Sequence, residues 1–340
     1  MAVSWSYLGL YVAFVLGLLQ VLSFIERRAA MRGSNGAPMP VVLDKGLRAL
    51  FLVAWTLPML TVLPVWLCCL WFVVYGFTFL DGSERNGTRE SPFVKSFGFW
   101  NVIKRRLHIV LRPTVDLPKG KYIVAIAPHG ILPFGSMFAL FSNVANVKNV
   151  LPNLNMRCLA ASFCFYIPIY RDILLAAGVC DAARYNARFL LDHDYSLALV
   201  PGGATEALYA GVGKHTLYIN KRLGFVRLAM QTKAQIIPVY GFGENDTWET
   251  VEMSSAFITA FRARWQRIFG ISLPFVAHVF PRRTKVNVVL GAPVTVPHIE
   301  NPTDDECRAA LEIYKKALSE LWHAHKDEFA RERTEDLTFL

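Results

Sequence analysis

Two long stretches of this 340-residue chain lack charge altogether: residues 3–25 and residues 49–80 contain no Asp, Glu, Lys or Arg. A helix of about 20 apolar residues reaches across a bilayer, so an apolar N-terminal anchor is expected. The six cysteines (Cys68, Cys69, Cys158, Cys164, Cys180 and Cys307) form no CxxC pair. That pattern gives neither a zinc site nor a disulfide framework and suits a reducing compartment. HExxH and an EF-hand loop are missing, so no metal is expected, and no cofactor motif is present. There is no GxSxG elbow, which argues against a serine hydrolase. Gly213-Lys214-His215-Thr216 resembles a phosphate loop, but no Gly stands five residues before Gly213. Internal repeats, low-complexity tracts and nucleic-acid modules are also missing, so the net charge of +10 points to anionic lipid or an anionic substrate and not to nucleic acid.

What is present is uneven. Hydrophobic residues make up 54% of the chain, and the excess lies before Asp81. The sequence divides into a membrane anchor over residues 1–80 and a folded domain over 81–340. Residues 3–25 read as a retained span or as a signal peptide. The start lacks a basic n-region and Arg27, Arg28 and Arg32 follow the run, which favours the span. Residues 49–80 as one helix would reach roughly 48 Å at 1.5 Å per residue, beyond a core of about 30 Å. Pro58 and Pro64 interrupt the run, so a hairpin returning to the same face is expected ahead of a tilted single span. Five Lys/Arg between Glu26 and Arg48 place that loop, and with a hairpin the folded domain, on the cytoplasmic side. The sequon Asn86-Gly87-Thr88 would report a lumenal domain if glycosylated. Lys104–Arg106 beside Phe97, Phe99 and Trp100 reads as a membrane-surface segment or an ordinary basic turn.

Short apolar runs at Tyr122–Ala127, Cys158–Ser162, Leu197–Val200, Ile236–Tyr240 and Val286–Leu290 read as buried strands. Helical patterns at Ala182–Asp192 and Lys221–Gln231 separate some of them. The fold class expected is α/β, a largely parallel central sheet flanked by helices, closed by an amphipathic helix over 304–333.

Three strands run into unusual turns: Pro128-His129-Gly130, Pro201-Gly202-Gly203-Ala204-Thr205-Glu206, and Gly241-Phe242-Gly243-Glu244-Asn245-Asp246. Ligands of open α/β sheets bind beyond the carboxyl ends of the strands, so these turns are expected to converge. His129 is either a structural histidine or a general base, since its imidazole titrates near neutrality. Pro128 fixes the backbone before it and Gly130 permits close approach after it. Gly202 and Gly203 either make a tight turn or aim N–H groups at an oxyanion or phosphate. Glu206 is a helix N-terminal charge or a partner that orients His129, as a carboxylate does in triads. Arg171-Asp172 and Asn245-Asp246 are further candidates for substrate binding, with a buried ion pair or a turn cap as the alternative.

These motifs, in this order, resemble the type-2 diacylglycerol acyltransferase family, which includes monoacylglycerol and wax-alcohol acyltransferases. The match runs through Pro128-His129-Gly130 with Phe134-Gly135, Ile167-Pro168 with Arg171-Asp172 and Gly178, Pro201-Gly202-Gly203 with Glu206, and Arg222-Leu223-Gly224-Phe225. It continues through Gly243-Glu244-Asn245-Asp246, Gly291-Ala292-Pro293-Val294 and the closing helix. The resemblance implies a glycerolipid-acyltransferase-like domain that faces the cytosol from the endoplasmic reticulum membrane, with lipid droplets as a second location. It implies fatty acyl-CoA as donor and co-substrate, diacylglycerol as acceptor, triacylglycerol as product, membrane lipids as surroundings, and His129 and Glu206 as catalytic residues. A homo-oligomer is compatible with it. Monoacylglycerol or a wax alcohol is the alternative acceptor, and a non-catalytic lipid-binding or droplet protein the alternative role. Animal members usually read His-Pro-His-Gly; here Ala127 replaces the first His. Glycerophosphate acyltransferases, distantly similar, carry an Asp where this chain has Phe134 and an Arg in the turn equivalent to 201–206. The absence of both favours a neutral acceptor. Arg282, Arg283 and Lys285 either hold the CoA phosphates or face the membrane.

Overall fold

In the computed structural model, the structure describes residues 11, 14, 15, 21 and 41–340, apart from 62, 99, 252–254, 270, 271, 273, 274 and 279. The expected span over 3–25 therefore lies almost entirely outside the described residues.

The sheet is built around the most apolar run in the folded domain. Residues Tyr122–Ala127 form strand β2, buried at every position. Side chains alternate across a strand, so Tyr122, Val124 and Ile126 join one core while Ile123, Ala125 and Ala127 join the other. An uninterrupted apolar run is what a strand covered on both faces requires. Its neighbours are β5 (Ser196–Leu199) and β7 (Gln235–Phe242), both parallel, with Ile123 opposite Leu197 and Ile236. Beyond β5 lie β3 (Met156–Ala160) and β4 (Val179–Asp181), also parallel. Beyond β7, β8 (Asn287–Leu290) runs antiparallel and carries β1 (Val110–Pro113) as the edge. The order is β1-β8-β7-β2-β5-β3-β4. The sheet is thus largely parallel, with a reversed pair at one side.

Sequence patterning misses β1 and β4. Each is very short and half of β1 is exposed, so neither shows a long apolar run. The strand expected at Cys158–Ser162 begins and ends two residues earlier, and Ser162 opens a 3-10 turn instead. A separate small pair, β6 (Thr216–Leu217) and β9 (Thr338–Phe339), ties the C-terminus to the segment after the glycine turn.

Helix α1 (Val41–Thr56), a 3-10 turn at Leu57–Thr61 and helix α2 (Val65–Phe79) occupy the expected hairpin region. The break falls at Pro58 and Pro64, where proline removes a donor and clashes with the preceding turn. The first arm starts before residue 49 because Asp44 and Arg48, although charged, are buried in it. The helical stretch Val65–Arg85 is long and apolar enough to cross a membrane, and only 11% of it is buried. Helix α3 (Trp100–Leu107) replaces the turn expected around Lys104–Arg106. Its Trp100 is a core residue, tilted against Phe138 and edge-on to Phe141, not a membrane-facing one.

Helix α4 (Phe134–Phe141) covers one sheet face with Phe138 and Leu140. The short α5 (Tyr170–Ala176) leads into β4. On the other face lie α6 (Arg184–Asp192), α7 (Gly224–Thr232) and the closing helix α9 (Asp304–Phe329), which buries Tyr314, Leu318 and Trp322. Thr303 and Glu306 form a reciprocal capping box at the start of α9, which satisfies donors the first helical turn cannot. Helix α8 (Ala256–Phe269) stands outside the sheet. None of the six cysteines is joined in a disulfide.

Candidate active site

Because β2 lies between β5 and β7 and all three run parallel, the turns that follow them emerge side by side at one sheet edge. His129 follows β2 directly, through a cis Ala127-Pro128 peptide, and is half-buried. Gly130 after it has φ +60°, a left-handed conformation that glycine adopts without penalty. Its missing side chain matters as well, for a Cβ would stand 3.3 Å from both the Cγ and the carbonyl oxygen of Glu244.

Glu206 meets the His129 turn, but not through the imidazole. Its Oε1 accepts from the His129 backbone N–H at 2.6 Å, and its Oε2 accepts from the Tyr218 N–H at 2.9 Å. The triad-like geometry expected from the sequence is therefore replaced by a backbone clamp. The imidazole Nδ1 instead lies 3.0 Å from the Gly130 carbonyl. A carbonyl only accepts, so Nδ1 carries the hydrogen and Nε2 keeps its lone pair. Burial lowers the imidazole pKa, the Gly130 carbonyl works against this, and the Arg222 charge lowers it further. The neutral form, the one able to take a proton, is thereby favoured at pH 7.

The glycine turn is shaped around that clamp. Gly202 is buried, and a Cβ there would overlap the Glu206 carboxylate and lie 2.8 Å from the Glu206 Cβ. Gly203 has φ +58° and donates its N–H to the Val200 carbonyl at 3.2 Å. Arg222 braces the turn from outside, its Nη2 donating to the Gly202 carbonyl at 2.9 Å and to Thr205 Oγ1 at 2.8 Å. Gln266 of α8 also reaches Thr205 Oγ1, at 3.0 Å. Burial raises the Glu206 pKa to about 7, although the His129 and Tyr218 N–H groups and Arg222 pull against it.

A second buried carboxylate completes the site. Glu244 accepts from the Gly135 and Ser136 N–H groups at 2.9 and 2.7 Å and from Ser136 Oγ at 2.6 Å. It caps the N-terminus of α4, where orphan donors and the helix dipole favour an anion. Burial raises its pKa to about 7 against those three hydrogen bonds. Glu244 and Arg222 are structural members of the site that the residue-by-residue reading did not single out. The available signal was their place in the Gly-Glu-Asn-Asp and Arg-Leu-Gly-Phe motifs.

The remaining candidates fall elsewhere. Asn245 donates to the Lys214 carbonyl at 2.6 Å, and Asp246 accepts from the Gly213 N–H at 2.8 Å. Both thus hold the 211–214 turn against the β7 turn. Arg171 is fully buried and binds Asp81 at 2.8 Å, Glu84 at 3.0 Å and Ser83 at 3.1 Å. Asp172 is bonded by Tyr75 and lies 3.4 Å from Arg89. The pair therefore belongs to an ion network joining α5 to the end of the apolar hairpin. Among the described residues no group of His, Cys, Asp and Glu is arranged to hold a metal ion.

A cavity of about 670 Å³ opens beside the glycine turn, lined by Val200, Pro201 and Arg222 among others. Its size is that of a small-molecule site. His129 is not in its wall; the two are joined through Arg222 and the 202–206 turn.

The sequence is similar to those of known acyltransferases. The chain is 31% identical over 302 residues to diacylglycerol O-acyltransferase 1 of Schizosaccharomyces pombe, covering 84% of each chain. It is 30% identical to acyl-CoA wax alcohol acyltransferase 1 of Mus musculus, covering 86% of this chain and 89% of that one. With diacylglycerol O-acyltransferase 2A of Umbelopsis ramanniana the identity is 28%, with 89% and 93% coverage. A solved structure, the 1-acyl-sn-glycerophosphate acyltransferase of Thermotoga maritima, aligns with a TM-score of 0.40 and 13% identity over 83% of this chain and 98% of that one. The model for the family described as diacylglycerol acyltransferase matches residues 58–340. This protein is an acyltransferase and belongs to the diacylglycerol acyltransferase family.

Proposed function

We propose that the chain transfers a fatty acyl group from acyl-CoA to the free hydroxyl of diacylglycerol, with His129 as the general base. The observation that carries this is the imidazole at the end of the central strand, with Nδ1 held by the Gly130 carbonyl and Nε2 left to accept a proton. In the proposed step Nε2 takes the acceptor's hydroxyl proton as the oxygen attacks the thioester carbonyl. The C–O bond forms, the C–S bond of the tetrahedral intermediate breaks, and the leaving thiolate receives the proton back. No covalent acyl-enzyme is needed. The Gly203 N–H is already committed to Val200, so the oxyanion donor in this reading is the Gly202 N–H.

The membrane arrangement supports a lipid acceptor. By length and composition Val65–Arg85 could cross a membrane, and its uncharged part, 65–80, would reach about 24 Å of a core of about 30 Å. Its continuation, from Asp81 on, is held in the folded domain. At its other end Arg48 lies 2.9 Å from Glu84, and Asp44 pairs with Arg85. The two ends of the apolar run thus meet, which supports a hairpin that enters and leaves by one membrane face. Residues 1–80 in this reading are the anchor and 81–340 the catalytic domain, on the cytosolic side of the endoplasmic reticulum. Exposed Trp66, Val73, Val74 and Phe77 on α2 would face the acyl chains.

The test is transfer of radiolabelled oleoyl-CoA to a panel of acceptors by purified protein, wild type and His129→Ala. Triacylglycerol formation that disappears in the variant, with unchanged thermal stability, is expected. Retained transfer by His129→Ala would overturn the base assignment. Because relatives carry the names 2-acylglycerol O-acyltransferase 3 and acyl-CoA wax alcohol acyltransferase 1, monoacylglycerol and hexadecanol belong in the panel. A higher kcat/KM with either would replace diacylglycerol as the acceptor.

A further inference from the structure

We propose that the cavity beside the glycine turn is the seat of the phosphorylated nucleotide end of acyl-CoA, held by Arg184, Lys221 and Arg222. This rests on the acyl-CoA reading above and adds where the donor's anionic half lies.

The cavity lies at the carboxyl edge of β3, β4 and β5, where Leu159, Asp181, Leu199 and Pro201 contribute to its wall. A second, smaller cavity of about 240 Å³ shares Arg184, Tyr185 and Leu228 with it and adds Arg188. Together they form a trough that starts at the 201–206 turn and runs outward between α6 and α7.

The charges along this trough are unequal. Of the lining acids, Asp44 is taken up by Arg48 and Arg85. Asp181 accepts from Ser162 Oγ and the Ala183 N–H, and burial raises its pKa to about 6. The smaller cavity adds Asp192, 3.7 Å from Arg188. The four cations Arg184, Arg188, Lys221 and Arg222 outnumber these three acids. Lys221 is exposed and makes no ion pair among the described residues. The Nε of Arg222 is buried without an acceptor, and a buried donor without an acceptor is rare. Burial lowers the pKa of Arg222 more than Tyr218 and Glu206 restore it, and burial and Arg227 lower that of Arg184. The trough therefore holds positive charge in excess of its own anions.

Of the two substrates only one matches. Diacylglycerol carries no charge, whereas the nucleotide end of CoA carries three phosphate groups, to which arginine binds with paired N–H donors and lysine as a point charge. The apolar wall of Leu199, Leu223, Phe225 and Leu228 suits the pantetheine arm and the adenine. Continuity with the turn supplies the last argument. Arg222 bonds the Gly202 carbonyl on one side and lines the cavity on the other, so one extended molecule can place its thioester at His129 and its phosphates in the trough.

The test uses the full-length protein in detergent micelles, with the variants Lys221→Gln and Arg184→Gln. Loss of one charged contact to phosphate should raise the KM for oleoyl-CoA about tenfold. The kcat and the KM for diacylglycerol should stay within about twofold. Binding of adenosine 3′,5′-bisphosphate, measured by calorimetry, should weaken by the same factor. A KM effect on diacylglycerol instead, or competition by phosphatidate vesicles but not by the bisphosphate, would overturn the assignment in favour of a lipid phosphate. So would a raised acyl-CoA KM in Arg282→Gln/Arg283→Gln with no effect of Lys221→Gln. A wild type that binds the bisphosphate at Lys221 yet transfers no acyl group would uphold the trough and refute the proposed reaction.

Discussion

Gly202→Ala tests the central mechanical claim, that the glycine turn exists to let Glu206 reach the His129 backbone. The added methyl would occupy the space of the Glu206 carboxylate, so the carboxylate must leave the N–H groups of His129 and Tyr218. Hydrogen bonds to a charged group contribute about 1.5–3 kcal/mol each, so losing both costs about 3–6 kcal/mol. Gly203→Ala is the matched control. Gly203 has φ +58°, and its Cβ would meet nothing closer than Arg222 Nη2 at 4.0 Å. Only the left-handed backbone penalty of about 1–2 kcal/mol applies there. Thermal unfolding of the purified proteins should therefore place Gly202→Ala on the order of 5–10 °C below Gly203→Ala. Acyl transfer by Gly202→Ala should fall about 100-fold, because a displaced His129 turn misplaces the base by a fraction of an ångström or more. In a Glu206→Gly background the Gly202→Ala change should cost almost nothing further, since the carboxylate and the Cβ it would meet are both gone. Equal stability and activity of the two single variants, or strict additivity in the double variant, would refute the clamp.

Other outcomes follow from the same geometry. His129 has its pKa lowered below 6.5, so kcat/KM should be flat at pH 7 and fall tenfold per unit only below that value; an acid limb centred at or above pH 7 would contradict the neutral base. Glu206→Gln should lower the plateau of that profile without moving its acid limb, because the carboxylate touches the His129 backbone and not the ring; a limb displaced by a full unit would show direct charge coupling. Glu244 is raised from 4.5 to about 7, so its stabilising contribution is full below the unfolded value of 4.5 and is lost, by about 3 kcal/mol, as pH rises from there through 7. Glu244→Gln should flatten the fall in melting temperature between pH 5 and pH 7, and an unchanged slope would refute this. Arg171→Leu removes a fully buried cation from Glu84, itself fully buried, and should cost about 3–5 kcal/mol while acyl transfer per folded molecule is kept; a melting point within 2 °C of wild type would refute that accounting.

The legibility of the chain follows burial. Tyr122–Ala127 is apolar at all positions because both faces are covered, and it is visible from sequence to the residue. Val110–Pro113 lies at the sheet edge with Arg112 and Pro113 exposed, so it carries no comparable pattern and goes unseen. The convergence of the 128–130, 201–206 and 243–246 turns is also legible, since parallel neighbours must release their loops at one edge. What each polar side chain does there is not. Glu206 and His129 are next to one another as the motifs suggest, but sequence cannot distinguish a carboxylate facing an imidazole from one facing that residue's own N–H. Arg171-Asp172 reads like a ligand pair because motif position carries no information about distance. Its partners, Asp81 and Glu84, are more than 80 positions earlier in the chain.

The placement of charge around His129 keeps the ring neutral. Two carboxylates flank the turn, and either one against the ring would raise its pKa and hold it protonated. Neither touches it. Glu206 is occupied by two backbone N–H groups and Glu244 by the start of α4. Their charges hold backbone in position, while the ring is left with burial and Arg222, both of which disfavour the proton. With its Nε2 pinned by neither carboxylate, a neutral ring can take the acceptor's hydroxyl proton without first losing one of its own, and Ala127, in place of a polar residue, needs no part in that transfer.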